Sequence, residues 1–243
     1  MDGEAAKAGH FTTMQVRAGG VQGLELHLAR LRTASRNLYG ANSDRSVDGP
    51  VLKKRIREAL AAASLETGDC TVRVRVLPPH RIEVDIEPPR EPPSSPLRVR
   101  THPGLRSVPS VKHLALDFQL EARAQAREAG FDDALLLAPD GRISEGTFWN
   151  VAFWDGESLV WPDAPALTGV TRQLLGAALD QAGMPQRCEA VNMASLDRFS
   201  AAFALNSSGI GDIAAIDAHV FPGDALTGAT LRRLLVAVPR DLL

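Results

Sequence analysis

Residues 142–153 read Arg-Ile-Ser-Glu-Gly-Thr-Phe-Trp-Asn-Val-Ala-Phe, with the carboxylate of Glu145 set among β-branched and aromatic side chains. Because Ile, Val, Phe and Trp favour strands, we predict a strand over Ile143 to Phe153. Pro139-Asp140-Gly141 is a turn sequence that joins it to a strand at Ala134 to Ala138. Glu145 is either a charge at a strand edge or turn, or a carboxylate that meets a cation such as a protonated ring nitrogen.

Strands and helices alternate on both sides of this hairpin. A helix is predicted over Leu116 to Ala129, with Gly130 as its stop signal. Asp155-Gly156 turns a second hairpin. The remaining predicted elements are a helix at about Val170 to Ala182, a strand at Ala201 to Leu205 and a helix at about Ala225 to Val238.

The first ninety residues also mix strands with helices. Phe11 to Val16 is predicted as a strand that turns at residues 18–20. Apolar residues then recur at helical spacing, which predicts a helix from Leu24 to about Gly40; they are Leu24, Leu28, Leu31, Ala34 and Leu38. The elements predicted after it are a loop at Asn42 to Gly49, a helix at Val51 to Ala63, and strands at Cys70 to Leu77 and Arg81 to Ile86 around a Pro78-Pro79 turn.

Five prolines fall between Glu87 and Pro96, a density that neither a helix nor a strand tolerates. We therefore predict an extended linker there, followed by a strand at Leu97 to Thr101 and a loop to Ser110. The linker separates a domain of residues 1–90 from a larger one of residues 91–243. The fold class is α+β in two unequal parts.

The composition, with 44% apolar residues, is that of a globular chain with a substantial core. Its 243 residues carry a formal charge of −2, which does not suggest nucleic-acid or membrane-surface binding. Met1 to His10 lacks the apolar core of a signal peptide, and no window approaches a membrane span. Cys70 and Cys188 match no zinc spacing, so we expect no metal site and two buried thiols in a reducing cytoplasm.

Lys112 stands out among only four lysines, because it lies in the apolar run Val111 to Leu116. A lysine in such a run either extends its amine to solvent at an edge or is kept for its amine. To act as a nucleophile the amine must lose its charge near neutral pH, which burial or a covalent imine can achieve.

Three segments are suited to an anion. Residues 167–172, Leu-Thr-Gly-Val-Thr-Arg, place a glycine turn before a helix whose free N–H groups attract phosphate. Residues 206–209, Asn-Ser-Ser-Gly, form a hydroxyl-rich turn after a strand. Arg30 lies among leucines on the first long helix, and its guanidinium can hold a phosphate through two hydrogen bonds.

Taken in order, these residues resemble the fold-type IV pyridoxal 5'-phosphate (PLP) enzymes. This is the class IV aminotransferase family of branched-chain aminotransferases, D-amino-acid aminotransferases and 4-amino-4-deoxychorismate lyases. The resemblance runs from Gly9 to about Ile216 and is most specific in residues 111–130, 144–150 and 167–172. It implies a D-amino-acid-aminotransferase-like architecture, with a small N-terminal α/β domain, a larger C-terminal mixed-sheet domain and a homodimer.

The resemblance also implies roles. Lys112 would form the Schiff base with PLP and move the proton at the substrate's α-carbon, while Glu145 would pair with the pyridine nitrogen. The residues that would surround the rest of the cofactor are Arg30, Leu167, Gly169, Val170, Thr171, Asn206, Ser207 and Ser208. Asn150 would have a structural role. We expect the neighbouring His113 to point away from the cofactor and the tryptophans 149, 154 and 161 to belong to the core or an interface.

The substrate is less well specified. Phe11 stands where the D-amino-acid enzymes have a tyrosine, and Tyr39 is the only tyrosine in the chain. Arg73 falls near a family position that can hold a substrate carboxylate. Arg75 and Arg106 are competitors, with surface charge as the alternative explanation for all three.

We weigh three functions. The first is a transaminase that moves an amino group from an amino donor to a keto acceptor. The second is an aminodeoxychorismate-type lyase that releases pyruvate. Residues 111–114, Val-Lys-His-Leu, favour it, whereas Pro78-Pro79-His80-Arg81 replaces the glycine- and arginine-rich loop of those lyases. The third is a catalytically silent PLP- or anion-binding protein.

Overall fold

The computed structural model describes residues 3–40, 43, 47–78 and 81–243. The chain forms two compact units. The first contains Met1–Glu91, Ser110–Leu116 and Pro239–Leu243, and the second contains Pro92–Pro109 and Asp117–Val238. The chain therefore leaves the first unit after Glu91 and returns to it twice.

The first unit is an antiparallel sheet packed against helices. Its elements are α1 (Gly3–Ala8), β1 (His10–Arg17), β2 (Gly20–Gln22), α2 (Leu24–Tyr39), α3 (Gly49–Ala62), β3 (Cys70–Leu77), β4 (Arg81–Glu87) and β14 (Arg240–Leu242). The strand order is β14-β2-β1-β3-β4. Alternate residues of β3, such as Val72 and Val74, are fully buried in one core with the apolar face of α2.

The second unit is a mixed sheet that closes on itself. Its strands are β5 (Leu97–Pro103), β6 (Asp133–Leu137), β7 (Ile143–Gly146), β8 (Asn150–Trp154), β9 (Leu159–Pro162), β10 (Gln186–Glu189), β11 (Ala201–Asn206), β12 (Gly209–Ile216) and β13 (His219–Val220). They follow the order β10-β9-β8-β11-β12-β5-β6-β7, and β7 also pairs with β8. This last pairing joins β8, β11, β12, β5, β6 and β7 into a closed barrel.

Apolar side chains fill the barrel, and helices cover its outside. Val99, Leu135 and Phe153 are fully buried in the interior cluster. The helices are α4 (Asp117–Glu128), α5 (Val170–Ala182) and α6 (Ala225–Ala237), with a 3₁₀ turn at Met193–Arg198. In the described residues no helix is both long and apolar enough to span a bilayer.

Most predicted elements are confirmed within one or two residues. The buried face of α2 contains all five predicted residues, and α2 ends at Gly40, whose φ of 97° suits glycine. All three tryptophans are buried in the core, as expected. Residues 88–96 form neither helix nor strand. Parts of the predicted Asn42 to Gly49 loop and Pro78-Pro79 turn, and His80, lie outside the described residues.

Two predictions are wrong. The strand expected over Ile143 to Phe153 is two strands, β7 and β8, which pair with each other through Glu145 and Asn150. The chain reverses at 147–149 because Thr147 and Trp149 both donate hydrogen bonds to Asp133. Cys70 is buried as expected, but Cys188 is exposed, since it lies on β10 at the end of the sheet order.

Candidate active site

Backbone hydrogen bonds attach Lys112 to the first strand of the first unit. The Phe11 N–H donates to the Lys112 carbonyl at 2.9 Å, and the Leu114 N–H donates to the Gly9 carbonyl at 2.8 Å. The Lys112 ammonium lies 4.8 Å from the centre of the Phe11 ring. The next residue, His113, is buried and forms an isolated backbone bridge with His10. Because successive side chains of an extended segment point to opposite sides, the His113 side chain points away from that of Lys112.

Arg30 reaches the same strand from α2. Its Nη2 donates a hydrogen bond to the Thr12 hydroxyl and lies 3.3 Å from His27 Nδ1. The Thr12 hydroxyl is 2.7 Å from the same nitrogen. Since a guanidinium can only donate, Thr12 accepts from Arg30 and donates to His27. His27 Nδ1 is therefore an acceptor, and the imidazole is neutral.

The sequence reasoning missed His27. It is buried, and this burial, followed by the charges of Arg30 and Lys112, lowers the pKa of His27 well below its usual value. The signal was present in the sequence, because His27 and Arg30 are three residues apart and lie on the same helix face. A neutral imidazole beside two cations is a hydrogen-bond acceptor that can orient Arg30.

Glu145 forms a buried ion pair in the second unit. Arg106 Nε donates to Glu145 Oε1 at 2.8 Å, and both side chains are 2% exposed. The Leu167 N–H donates to Glu145 Oε2 at 3.2 Å. Two donors, one of them a cation, therefore orient the carboxylate inside the protein, and a partner of a protonated ring nitrogen needs such a fixed orientation. The burial of Arg106 excludes the alternative that this arginine is only a surface charge.

The start of α5, three residues after Leu167, presents backbone donors that no side chain caps. Gly169 precedes the helix and supplies no side-chain cap, so the N–H groups of Val170 and Thr171 have no partner within the helix. A Cβ on Gly169 would lie 2.0 Å from Asn150 Oδ1, so only glycine fits. Asn150 in turn donates to the Leu167 carbonyl at 2.8 Å, which agrees with its expected structural role.

The turn after β11 lies against the same helix start. The Thr171 hydroxyl donates to the Asn206 carbonyl at 2.7 Å. Asn206 Oδ1 accepts hydrogen bonds from the Ser208 N–H at 2.9 Å and hydroxyl at 2.6 Å. Ser207 is half-buried between them. A helix N-terminus next to a hydroxyl turn is a suitable cradle for a phosphate.

The arginines considered for a substrate carboxylate differ in their partners. Arg75 is paired with both Asp85 and Glu83. Arg73 Nη1 lies 3.4 Å from Glu87 Oε1, and Arg73 Cζ lies 5.7 Å from the centre of the Phe11 ring. Of the three, Arg73 is thus the one that shares the Phe11 ring with Lys112.

The predicted residues therefore form two groups. The second unit contains the residues that the sequence predicted for the pyridine ring and the phosphate: Glu145, Leu167, Gly169, Val170, Thr171, Asn206, Ser207 and Ser208. The first unit brings together Lys112, Phe11 and Arg30. A buried carboxylate, an uncapped helix start and a hydroxyl turn are the donors and acceptors that a phosphorylated pyridine requires, so the residues present fit PLP.

The fold and these groups define a PLP-dependent enzyme of fold-type IV. Residues 9–216 match the family described as amino-transferase class IV, and the chain belongs to this family. PLP, the cofactor expected from the sequence, is the cofactor of the family.

Similar proteins agree on the fold. A structure described as a "Putative 4-amino-4-deoxychorismate lyase" from Legionella pneumophila is 19% identical with a TM-score of 0.84, over 96% of this chain and 92% of that one. A fold IV transaminase from Curtobacterium pusillum is 23% identical with a TM-score of 0.82, over 95% and 84%.

A curated relative from Rickettsia bellii, a "Probable branched-chain-amino-acid aminotransferase", is 28% identical over 107 residues, or 44% of this chain. That match covers 37% of the relative's length.

Proposed function

We propose that this chain is a PLP-dependent transaminase that moves an amino group from an amino donor to a keto acceptor, with the cofactor attached at Lys112. The observation that carries the proposal is the arrangement of Glu145. This buried carboxylate is held by Arg106 and by the N–H of Leu167, three residues before Val170, the first residue of α5.

When bound, PLP supplies an aldehyde that condenses with amines and a protonated ring that withdraws electrons from the substrate's α-carbon. Glu145 would accept a hydrogen bond from the ring nitrogen, which would keep that nitrogen protonated. The N–H groups of Val170 and Thr171, with the hydroxyl of Ser207, would bind the phosphate. Leu167 would pack against the ring.

Lys112 and Arg30 complete the proposed machinery. The Lys112 amine, once neutral, removes the proton from the α-carbon of the amino donor and later returns one to the acceptor. Arg30 would bind the phosphate, with its guanidinium oriented by Thr12 and His27. Arg73 is the candidate for the substrate carboxylate, beside the Phe11 ring.

The first experiment is an absorption titration with PLP. We expect wild-type protein to develop a visible band that borohydride bleaches, leaving a cofactor-sized mass increase on the peptide that contains Lys112. Lys112→Ala should lack both, whereas Lys54→Ala is the matched control, since the Lys54 side chain is 77% exposed. A wild-type protein that never binds PLP would refute the proposal.

A lyase is the second candidate, favoured by residues 111–114, Val-Lys-His-Leu. The two activities differ in their stoichiometry. A transaminase converts a donor to a keto acid, loses the visible band and regains it when a keto acceptor is added. A lyase releases pyruvate from aminodeoxychorismate with no acceptor present. Assaying both reactions on one preparation decides between them.

We also propose a homodimer in the cytoplasm. Light scattering on the purified protein tests the first part. Fractionation of the native host tests the second.

A further inference from the structure

A cavity of about 410 Å³ lies in the second unit, at one mouth of the barrel. Its walls come from α4, β5, β6, β11, β12 and the residue before β8. The side chains that line it include Leu97, Arg123, Arg127, Phe131, Trp149 and Asn206. A volume between roughly 300 and 1,000 Å³ is typical of small-molecule sites, and barrel mouths are a common place for them.

Small residues keep this mouth open. Ala204, Gly209 and Gly211 also line it. A Cβ on Gly211 would lie 3.3 Å from the Pro93 ring, so the linker packs directly on the strand there. The aromatic and apolar walls come from Phe131, Trp149 and Leu97, which can cover a flat or branched apolar group.

The acidic residues at the mouth are already engaged. Asp133 is 3% exposed and accepts hydrogen bonds from Thr147, Trp149 and Arg123. The Asp132 carboxylate accepts one from the Arg98 N–H at 2.7 Å. Neither needs a cationic ligand.

The arginines still have donors to offer. Arg123 and Arg127 lie one turn apart on α4, where like charges repel each other slightly. Arg123 Nε is buried and, among the described residues, has no hydrogen-bond partner. Arg127 is exposed, and its Nε donates a hydrogen bond to the Asp132 carbonyl at 3.3 Å. Arg123 is already paired with Asp133 and lies over the Phe148 ring, whereas the Nη groups of Arg127 have no acceptor among the described residues and can donate to an anionic ligand.

We propose that the barrel mouth binds a small monocarboxylate with an apolar or aromatic body. The carboxylate accepts hydrogen bonds from Arg123 and Arg127, and the body packs on Phe131, Trp149 and Leu97. An amine is not required, because the nearby acids are engaged. The ligand also contacts Asn206, which holds Ser208 in the turn proposed for the cofactor phosphate.

The test titrates the PLP-loaded protein with phenylacetate and with phenylacetamide, its neutral analogue. Ligand-observed NMR and tryptophan fluorescence follow the binding. A ligand of this size should bind in the millimolar range. We expect the amide to bind at least ~10-fold more weakly, because it cannot form charge-assisted hydrogen bonds with the arginines.

Variants locate the ligand. Arg127→Gln should weaken phenylacetate binding ~10-fold, the effect of losing one charge-assisted hydrogen bond. Arg233→Gln is the matched control, since Arg233 is an exposed arginine on α6 outside the cavity, and it should bind as wild type does. Trp149→Phe should remove the fluorescence response while the NMR signal of binding remains.

Three results would overturn the proposal. One is no binding of phenylacetate at tens of millimolar, and another is equal binding of acid and amide. The third is binding that Arg127→Gln leaves unchanged and Arg30→Gln abolishes, since the ligand would then occupy the cofactor site. This last comparison keeps the inference independent of the proposed function.

Discussion

Replacing Arg106 by methionine is expected to destabilise the protein strongly, because it removes one half of a fully buried ion pair. Both partners are 2% exposed, and Arg106 Nε is 2.8 Å from Glu145 Oε1. Breaking such a pair costs about 3–5 kcal/mol, since the remaining charge stays buried. Glu145 can avoid being a buried, unpaired charge by taking up a proton, and protonating a carboxyl group at pH 7 costs ~3.7 kcal/mol. The expected loss is therefore roughly 3–4 kcal/mol.

This reasoning also fixes the sign of a pH effect. In Arg106→Met the folded state holds a proton on Glu145 that the unfolded state releases above a pH of about 4.3. The difference in the free energy of unfolding between wild type and Arg106→Met should therefore grow as the pH rises from 4.5 to 7. A double variant, Arg106→Met with Glu145→Met, removes both charges and should recover most of the lost stability.

The assay is urea and thermal unfolding without added cofactor, so that binding does not contribute. A loss of this size lowers the melting temperature by roughly 10 °C in a chain of this length. Arg75→Met is the matched control: its partner Asp85 is half-exposed, and the expected loss is below ~1 kcal/mol. A deficit below ~1 kcal/mol for Arg106→Met, or one that does not vary with pH, would refute the argument.

Three further predictions concern single residues. Burial lowers the pKa of His10 to about 4, so between pH ~6.5 and ~4 the unfolded state binds the proton first and stability falls as the pH drops. Chemical denaturation at pH 7 and 4.5 measures this fall in the free energy of unfolding. The fall should be up to ~3 kcal/mol smaller in His10→Asn than in wild type. Gly169→Ala should cost ~1–3 kcal/mol in thermal unfolding because its Cβ meets Asn150, and Asn150→Ala should restore part of it. His27→Leu should weaken PLP binding ~10-fold but not pyridoxal binding, while His27→Asn retains the acceptor and the affinity; equal losses for both ligands would contradict an effect through the phosphate.

The sequence predicted the regular elements well because local periodicity determines them. The five apolar residues of α2 all face the core, and β3 alternates as expected. The strand over Ile143 to Phe153 failed because residues 147–149 have the same β-rich composition as their neighbours. Their reversal depends on Asp133, which lies on another strand, and on Gly146, where a Cβ would lie 1.9 Å from the Trp149 ring.

The candidate site was predictable only where its residues are unusual in their local sequence. Glu145 drew attention as a carboxylate in an apolar strand, and Lys112 as a lysine in an apolar run. Arg106 was considered only for a substrate carboxylate, because it lies in a loop without a recognisable motif in a chain that contains many arginines. Its role depends on its distance to Glu145, 39 residues away, and no local pattern encodes that distance.

The position of Lys112 illustrates the same limit. Its local sequence follows the linker and precedes α4, so sequence reasoning assigned it to the larger domain. Two backbone hydrogen bonds instead fasten residues 112–114 to β1, about a hundred residues earlier. Gly9 accepts one of them with a φ of 92°, and a Cβ there would lie 2.6 Å from the Val76 carbonyl. The geometry of the lysine therefore depends on a glycine that carries no chemistry, because only glycine allows β1 to begin where residues 112–114 can pair with it.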